Sequence, residues 1–144
     1  MAIAIADVLR RHHTIEEDRL VAAFAGRFAA DPSRGYGPGA VQILEHMNRG
    51  LHWRAAAATA FGGLGSMGNG SAMRVALLGA YFADDEERLV DEAVRSAVVT
   101  HAHRDGQAGA VAIAVAAGWA VRGGGEAEAL FETVLAATPR WAHP

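Results

Sequence analysis

Apolar side chains recur at three- and four-residue intervals along nearly the whole chain, with no run of strict alternation, so the pattern predicts helices and no sheet. Ile3, Ile5, Val8 and Leu9 mark a first helix over 2–10, which runs on from Met1 without a capping residue. Thr14 followed by Glu17 has the spacing of a capping box for a second helix, which carries Leu20, Phe24 and Phe28 and is stopped by Asp31-Pro32-Ser33. After the loop RGYGPG (Arg34 to Gly39), Val41, Leu44 and Met47 set a short third helix, and residues 51–61 read as a fourth, ended by the glycines from Gly62 onward. A helix near 71–83 follows the loop GGLGSMGNG. Asp84 and Glu87 form a second capping box, ahead of a helix striped by Leu89, Val90, Ala93, Val94, Ala97 and Val98. Residues 100–106 turn the chain into its most apolar helix, 107–121, and Gly123-Gly124-Gly125 separate that from a last helix, 126–137, ahead of Pro139. No period of roughly 20–50 residues repeats. The fold class is all-α.

Composition narrows the function classes more than it names one. With 144 residues and a 51% hydrophobic fraction, the chain reads as a single domain over 1–144 with enough apolar material for a core, and disorder is excluded. The net charge of −3, without a polybasic block, argues against nucleic acid or an anionic membrane as partner. Cysteine is absent, so there is no disulfide framework, thiol nucleophile or thiolate zinc site. All 13 basic residues are arginine, which excludes chemistry that needs a lysine, such as a P-loop or a Schiff base. The charges near the start follow the apolar stretch instead of preceding it, unlike a secretory leader. The longest apolar run, Ala108 to Val121, is short of the roughly twenty residues that span a bilayer. These features set the expectation of a cytoplasmic protein.

Three segments hold candidate chemistry. Gly63, Gly65 and Gly68 spell G-x-G-x-x-G, but an alanine-rich helix precedes them where a dinucleotide site requires a strand. Two readings remain: a flexible connector, or a loop whose backbone approaches a ligand closely at the N-terminus of a helix, where free N–H groups favour an anion. In Thr100-His101-Ala102-His103 the imidazoles at i and i+2 diverge by roughly 200° on a helix, so a cap or a ligand-contacting histidine is favoured over a shared metal. The acids Asp84 to Glu87 suit the first turn of a helix, where the macrodipole favours negative charge. His12, His13, His46 and His52 read as surface or packing residues, and Phe24, Phe28, Trp53 and Trp119 as core faces.

GSMGNGSAMRVALLGAYF (Gly65 to Phe82) followed by THAHRDGQAGAVAIAVAAG (Thr100 to Gly118), with RGYGPG upstream, resembles the ADP-ribosylglycohydrolase family. The two long motifs match in order and spacing, and weaker similarity covers nearly all of the chain. The resemblance implies an orthogonal multi-helix bundle that removes ADP-ribose from modified side chains such as arginine, using a two-Mg²⁺ centre. It implies that Gly65, Ser66 and Met67 line the diphosphate and ribose of the substrate, that His101 faces the cleft, and that Asn69 and Arg74 brace the loop. Leu77 and Arg104 stand where relatives commonly have proline.

The family's metal ligands, a D-D-T motif ahead of the first helix, a more N-terminal glutamate and a C-terminal D-x-D-T, have no counterpart here. The expectation is therefore a truncated bundle with no metal ligands and no catalytic residues of its own. Its partner would be ADP-ribose or an ADP-ribosylated protein, and it would self-associate through the truncated face. The alternative is a non-catalytic ADP-ribose-binding or structural remnant.

Overall fold

The computed structural model describes residues 1–138, and every regular element among them is helical. In chain order these are α1 (Ala2–His12), α2 (Glu17–Ala30), α3 (Pro38–Asn48), α4 (Trp53–Ala58), α5 (Ala60–Gly63), α6 (Ala72–Tyr81), α7 (Glu86–Val98), α8 (Arg104–Val121) and α9 (Ala127–Ala137). The all-α expectation holds. The stop expected at Pro139 lies outside the described residues. No described helix is long and apolar enough to cross a membrane.

Three local expectations are corrected. The capping box at Thr14 does not form: α2 starts at Glu17 behind Glu16, with no side-chain cap. Thr14 instead donates its hydroxyl to Glu92 Oε1 at 2.6 Å, and the Ile15 N–H donates to Glu92 Oε2 at 2.5 Å. Glu92 is buried on α7, so this carboxylate ties the α1–α2 turn to a helix nearly eighty residues away, an outcome local spacing does not encode. The second box is replaced by a simple cap: Asp85, not Asp84, caps α7 by accepting from the Arg88 N–H at 3.1 Å, and arginine stands where a box needs glutamate. The helix expected over 51–61 is broken. Thr59 donates to the Ala56 carbonyl, and Phe61 (φ 53°) and Gly62 (φ 67°) turn left-handed, leaving α5 as one distorted turn. Phe61 holds that uncommon conformation with its ring exposed, so the strain is set by the backbone around it.

The core is one cluster drawn from α1 to α8, with Ile5, Leu9, Leu20, Phe24, Leu44, Leu78, Leu89 and Val111 among its fully buried members. Phe24, Phe28 and Trp53 take the core positions that their spacing suggests. Trp119 does not: it is half-buried and lies over Gly124 and Gly125 after α8. Trp53 is fixed at its polar edge by donating Nε1–H to Asp18 at 2.7 Å.

The most extensive packing joins α6 to α8, and α7 packs next on α8. A Cβ built on Gly79 would lie 2.0 Å from the Ala114 carbonyl oxygen, so α6 and α8 meet backbone to backbone. Gly109 opposite Ala72 and Gly79 opposite Ala114 show that the two helices run the same way, with their N-terminal ends side by side. We predict that Gly79→Ala destabilises the protein by about 3 kcal/mol, because a methyl group there must push apart two backbones. Gly109→Ala meets only ordinary contact with Ala72 at 3.9 Å. It should stabilise by about 0.5–1 kcal/mol through helix propensity. Urea unfolding of the two variants checks the pair; equal effects would contradict the close crossing.

Candidate functional site

Because α6 and α8 start together, the loop before α6 lies on the turn before α8. Gly65 has φ +83°, and a Cβ there would sit 2.6 Å from the His103 backbone nitrogen and 2.8 Å from Ala102 Cβ. Gly106 is equally constrained, since its Cβ would lie 2.6 Å from the Ser66 carbonyl oxygen and 3.0 Å from His101 Cδ2. Ser71 donates its hydroxyl to the Gly106 carbonyl at 2.6 Å. Gln107 donates its side-chain amide to the carbonyls of His101 and Ala102 at 3.0 and 3.2 Å. The close approach that glycine permits at position 65 is thus to the protein's own 102–103 backbone, which seats the loop.

Under that seat, His101 is buried, with its Cε1 and Nε2 against Gly70. Burial first, then the nearby charge of Arg74, push its pKa down to about 4, so the ring is neutral at pH 7. Thr100 Oγ1 lies 2.8 Å from His101 Nδ1 and accepts from Arg74 Nη2 at 2.9 Å. Arg74 also donates to the Ser96 carbonyl at 2.7 Å and stacks on Phe24. Among the described residues no carboxylate pairs with it, and burial pushes it down to about 9, so it stays charged.

Gly65, Ser66, Asn69, Arg74 and His101 therefore converge on one locus, with roles that differ from residue to residue. Gly65 and Ser66 are buried, while Met67 is exposed above them. Asn69 is exposed and joins α6 through its carbonyl, which accepts from the Met73 N–H at 3.0 Å. Arg74 reaches the loop only indirectly, through Thr100 and His101. His103 caps α8 by accepting from the Asp105 N–H at 3.2 Å. The two histidines of the cluster thus have separate partners. The backbone N–H groups of Met67, Asn69 and Gly70 have no intramolecular partner among the described residues. That leaves a row of donors at the start of α6, where an anion is favoured.

A cavity of about 450 Å³ opens beside this loop, lined among others by Met1, Arg27, Arg34, Tyr36, Gly70 and Arg74. It joins the RGYGPG loop to the end of the glycine loop, so two segments far apart in sequence share one wall. Gly35 (φ +74°) makes that turn, and Tyr36 packs edge-on against Phe28 at 5.2 Å. Asp31 is the single acid on the cavity wall, and it already accepts from Ser33 and faces Arg34 at 3.8 Å. Among the described residues no three histidine or carboxylate side chains are grouped to hold a metal ion. Magnesium takes convergent oxygen donors in octahedral geometry, so the residues present do not fit the two ions that the resemblance implies.

The model of the ADP-ribosylglycohydrolase family matches residues 1–143. The chain belongs to that family. It is similar to ADP-ribosylhydrolase ARH3 of Bos taurus, with 33% identity over 138 residues, covering 94% of this chain and 37% of the relative. The Homo sapiens ARH3 is 33% identical over 140 residues, covering 94% and 38%. The Danio rerio ARH3 is 39% identical over 77 residues, covering 51% and 20%. The chain spans little more than a third of the length of the Bos taurus and Homo sapiens relatives.

Sequence reasoning singled out His101 and quoted Thr100 beside it, but missed Ser71, Gly106 and Gln107, which hold the turn around it. Their signal is faint, a few small or polar residues at the starts of two apolar helices, and only the helix crossing shows that they meet. One pH effect follows. The unfolded His101 titrates near 6.5 and the folded one near 4. Between those values the unfolded state binds the extra proton, so stability falls as pH drops through that window and is unaffected above it. Urea unfolding at stepped pH should show His101→Asn losing less stability than the wild type between pH 6.5 and 4. Parallel curves would contradict the buried neutral ring.

Proposed function

We propose that this chain supplies the ADP-ribose-binding loop of an ADP-ribosylglycohydrolase that cleaves the N-glycosidic bond between ADP-ribose and a modified side chain such as arginine. On this reading the 144-residue chain binds the product group but does not turn substrate over by itself. The observation that carries it is the row of unpaired N–H groups at Met67, Asn69 and Gly70, at the head of α6 and beside a cavity walled by three arginines. Such donors suit a diphosphate, and family membership gives that anion its most natural identity. The names of the relatives specify ADP-ribose and hydrolysis but no side chain, so the arginine linkage rests on the family resemblance.

Cleavage of a glycosidic bond builds positive charge on the ribose and needs an oriented water. The loop's donors would hold the diphosphate and so fix where the ribose lies. Neutral His101 beneath them is a bond-forming support and not a charge. Asp7 pairs with Arg27 at 2.5 Å, and Asp105 is exposed near His103 at 3.7 Å. The loop's donors supply binding, which by itself lowers KM without lowering the chemical barrier. A non-catalytic ADP-ribose-binding role is the second reading, favoured by the lack of a metal cradle among the described residues. Exposed Ile3, Met73 and Leu77 on α1 and α6 further support self-association through that face.

Two measurements test the reading. Calorimetric titration with ADP-ribose should show weak binding that is unchanged by Mg²⁺. Release of free ADP-ribose from ADP-ribosyl-arginine should stay at background with Mg²⁺ and with chelator alike. Chelator-sensitive turnover comparable to that of a full-length relative would overturn the proposed division between binding and chemistry.

A further inference from the structure

The cavity between the RGYGPG loop and α6 carries more positive charge than its own acids balance. Asp7 pairs with Arg27 at 2.5 Å, and Asp31, the single acid on the wall, faces Arg34 at 3.8 Å. Arg74 has no carboxylate partner among the described residues, although it is only 5% exposed. It is also held in place. Its Nη2 donates to the Ser96 carbonyl at 2.7 Å and to Thr100 Oγ1 at 2.9 Å, and the guanidinium lies 4.7 Å over the Phe24 ring. Its other nitrogens are poorly met. Nε has no partner among the described residues, and Nη1 donates to the Met1 thioether at 3.2 Å, a weak acceptor on the cavity wall. A buried cation without a counter-ion is costly, so this arrangement calls for an anion on the cavity side.

Two more donors line the same cavity. Tyr36 is half-buried, and its hydroxyl has no hydrogen-bond partner among the described residues. Arg34 is exposed beside it, and its 3.8 Å contact with Asp31 is too long for a hydrogen bond, so its N–H groups are available. The field of the arginines converges here: the Met1 amino group is held below its ordinary pKa by burial, then by Arg74, Arg27 and Arg34. We propose that this cavity is an anion site, with Arg74 as its fixed cation and Arg34 and Tyr36 as further donors, and that it takes a phosphate group. A phosphate group offers three strong acceptor oxygens to donors arriving from separate segments, where a carboxylate offers two. The volume of about 450 Å³ leaves room for whatever the phosphate is attached to. None of these donors belongs to the backbone row at 67–70, so the site stands without the ADP-ribose reading.

Titration of the wild-type chain with inorganic phosphate at constant ionic strength tests the site, followed by ¹H–¹⁵N correlation of backbone amides and arginine Nε groups. The Arg74 Nε–H signal and the Gly35 and Tyr36 amides should move together and saturate, and acetate should bind about tenfold more weakly. Shifts that never saturate, that stay on the 67–70 amides, or that acetate reproduces at equal concentration overturn the proposal. Arg34→Gln should weaken phosphate about fivefold and Tyr36→Phe about threefold. Asp31→Asn removes the one negative charge on the wall and should tighten binding about threefold, a gain that a damaged fold does not mimic. If none of the three changes the affinity, the cavity is not the site. Arg74→Met should abolish saturable binding; were it not to fold, the other three variants would still decide. Saturating ADP-ribose separates two sources of the group. Displacement of phosphate from the cavity supports the site with a diphosphate as its occupant, and undisturbed phosphate supports it as a site for a separate phosphate.

Discussion

The backbone contact between α6 and α8 at Gly79 and Ala114 is the constraint on which the rest of the structure depends. Helices carrying larger side chains at that point would stand roughly 8–10 Å apart. Here the absence of a Cβ lets them lie closer and in the same direction, so the segments preceding them are stacked together. The loop 65–71 and the turn 100–106 then repeat the same device on a smaller scale, with Gly65 and Gly106 each taking a position that no Cβ could share. A site of backbone donors is built by fixing where two helices begin.

The polar interactions below the loop follow from that geometry. Arg74 sits in the first turn of α6 and Thr100 just past the end of α7, so packing the two helices brings a guanidinium to a hydroxyl in the buried interior. Burial keeps the His101 ring neutral, and a neutral ring has a tautomer that can be set. A charged imidazolium donates from both nitrogens and could not accept from Thr100. Glu92 shows the same economy elsewhere: one buried carboxylate replaces the expected local cap at Thr14 and joins the first turn to α7.

Family membership and the observed donor set point to different parts of the reaction. The unpaired backbone donors at the head of α6 are ordered by packing, while carboxylates in the number that two magnesium ions require are not grouped among the described residues. The donors of the loop are placed by the packing of α6 on α8.

The sequence by itself determined the helical class, the approximate extents of most helices and the two motifs that carry the family likeness, because helical periodicity and glycine-rich loops are local properties. It also picked out Gly65, Ser66, Met67, Asn69, Arg74 and His101 as one group, though only through resemblance. Tertiary structure alone decided which partner each of these residues has. Thr14 and Glu17 have the spacing of a cap, yet a distant carboxylate outcompetes it, and residues 51–61 have a helical pattern, yet left-handed Phe61 and Gly62 break it. Gly65 reads as room for a ligand, yet its space is filled by the backbone of Ala102 and His103. In each case the deciding contact joins residues far apart in the chain, and such contacts exist only once the helices have crossed.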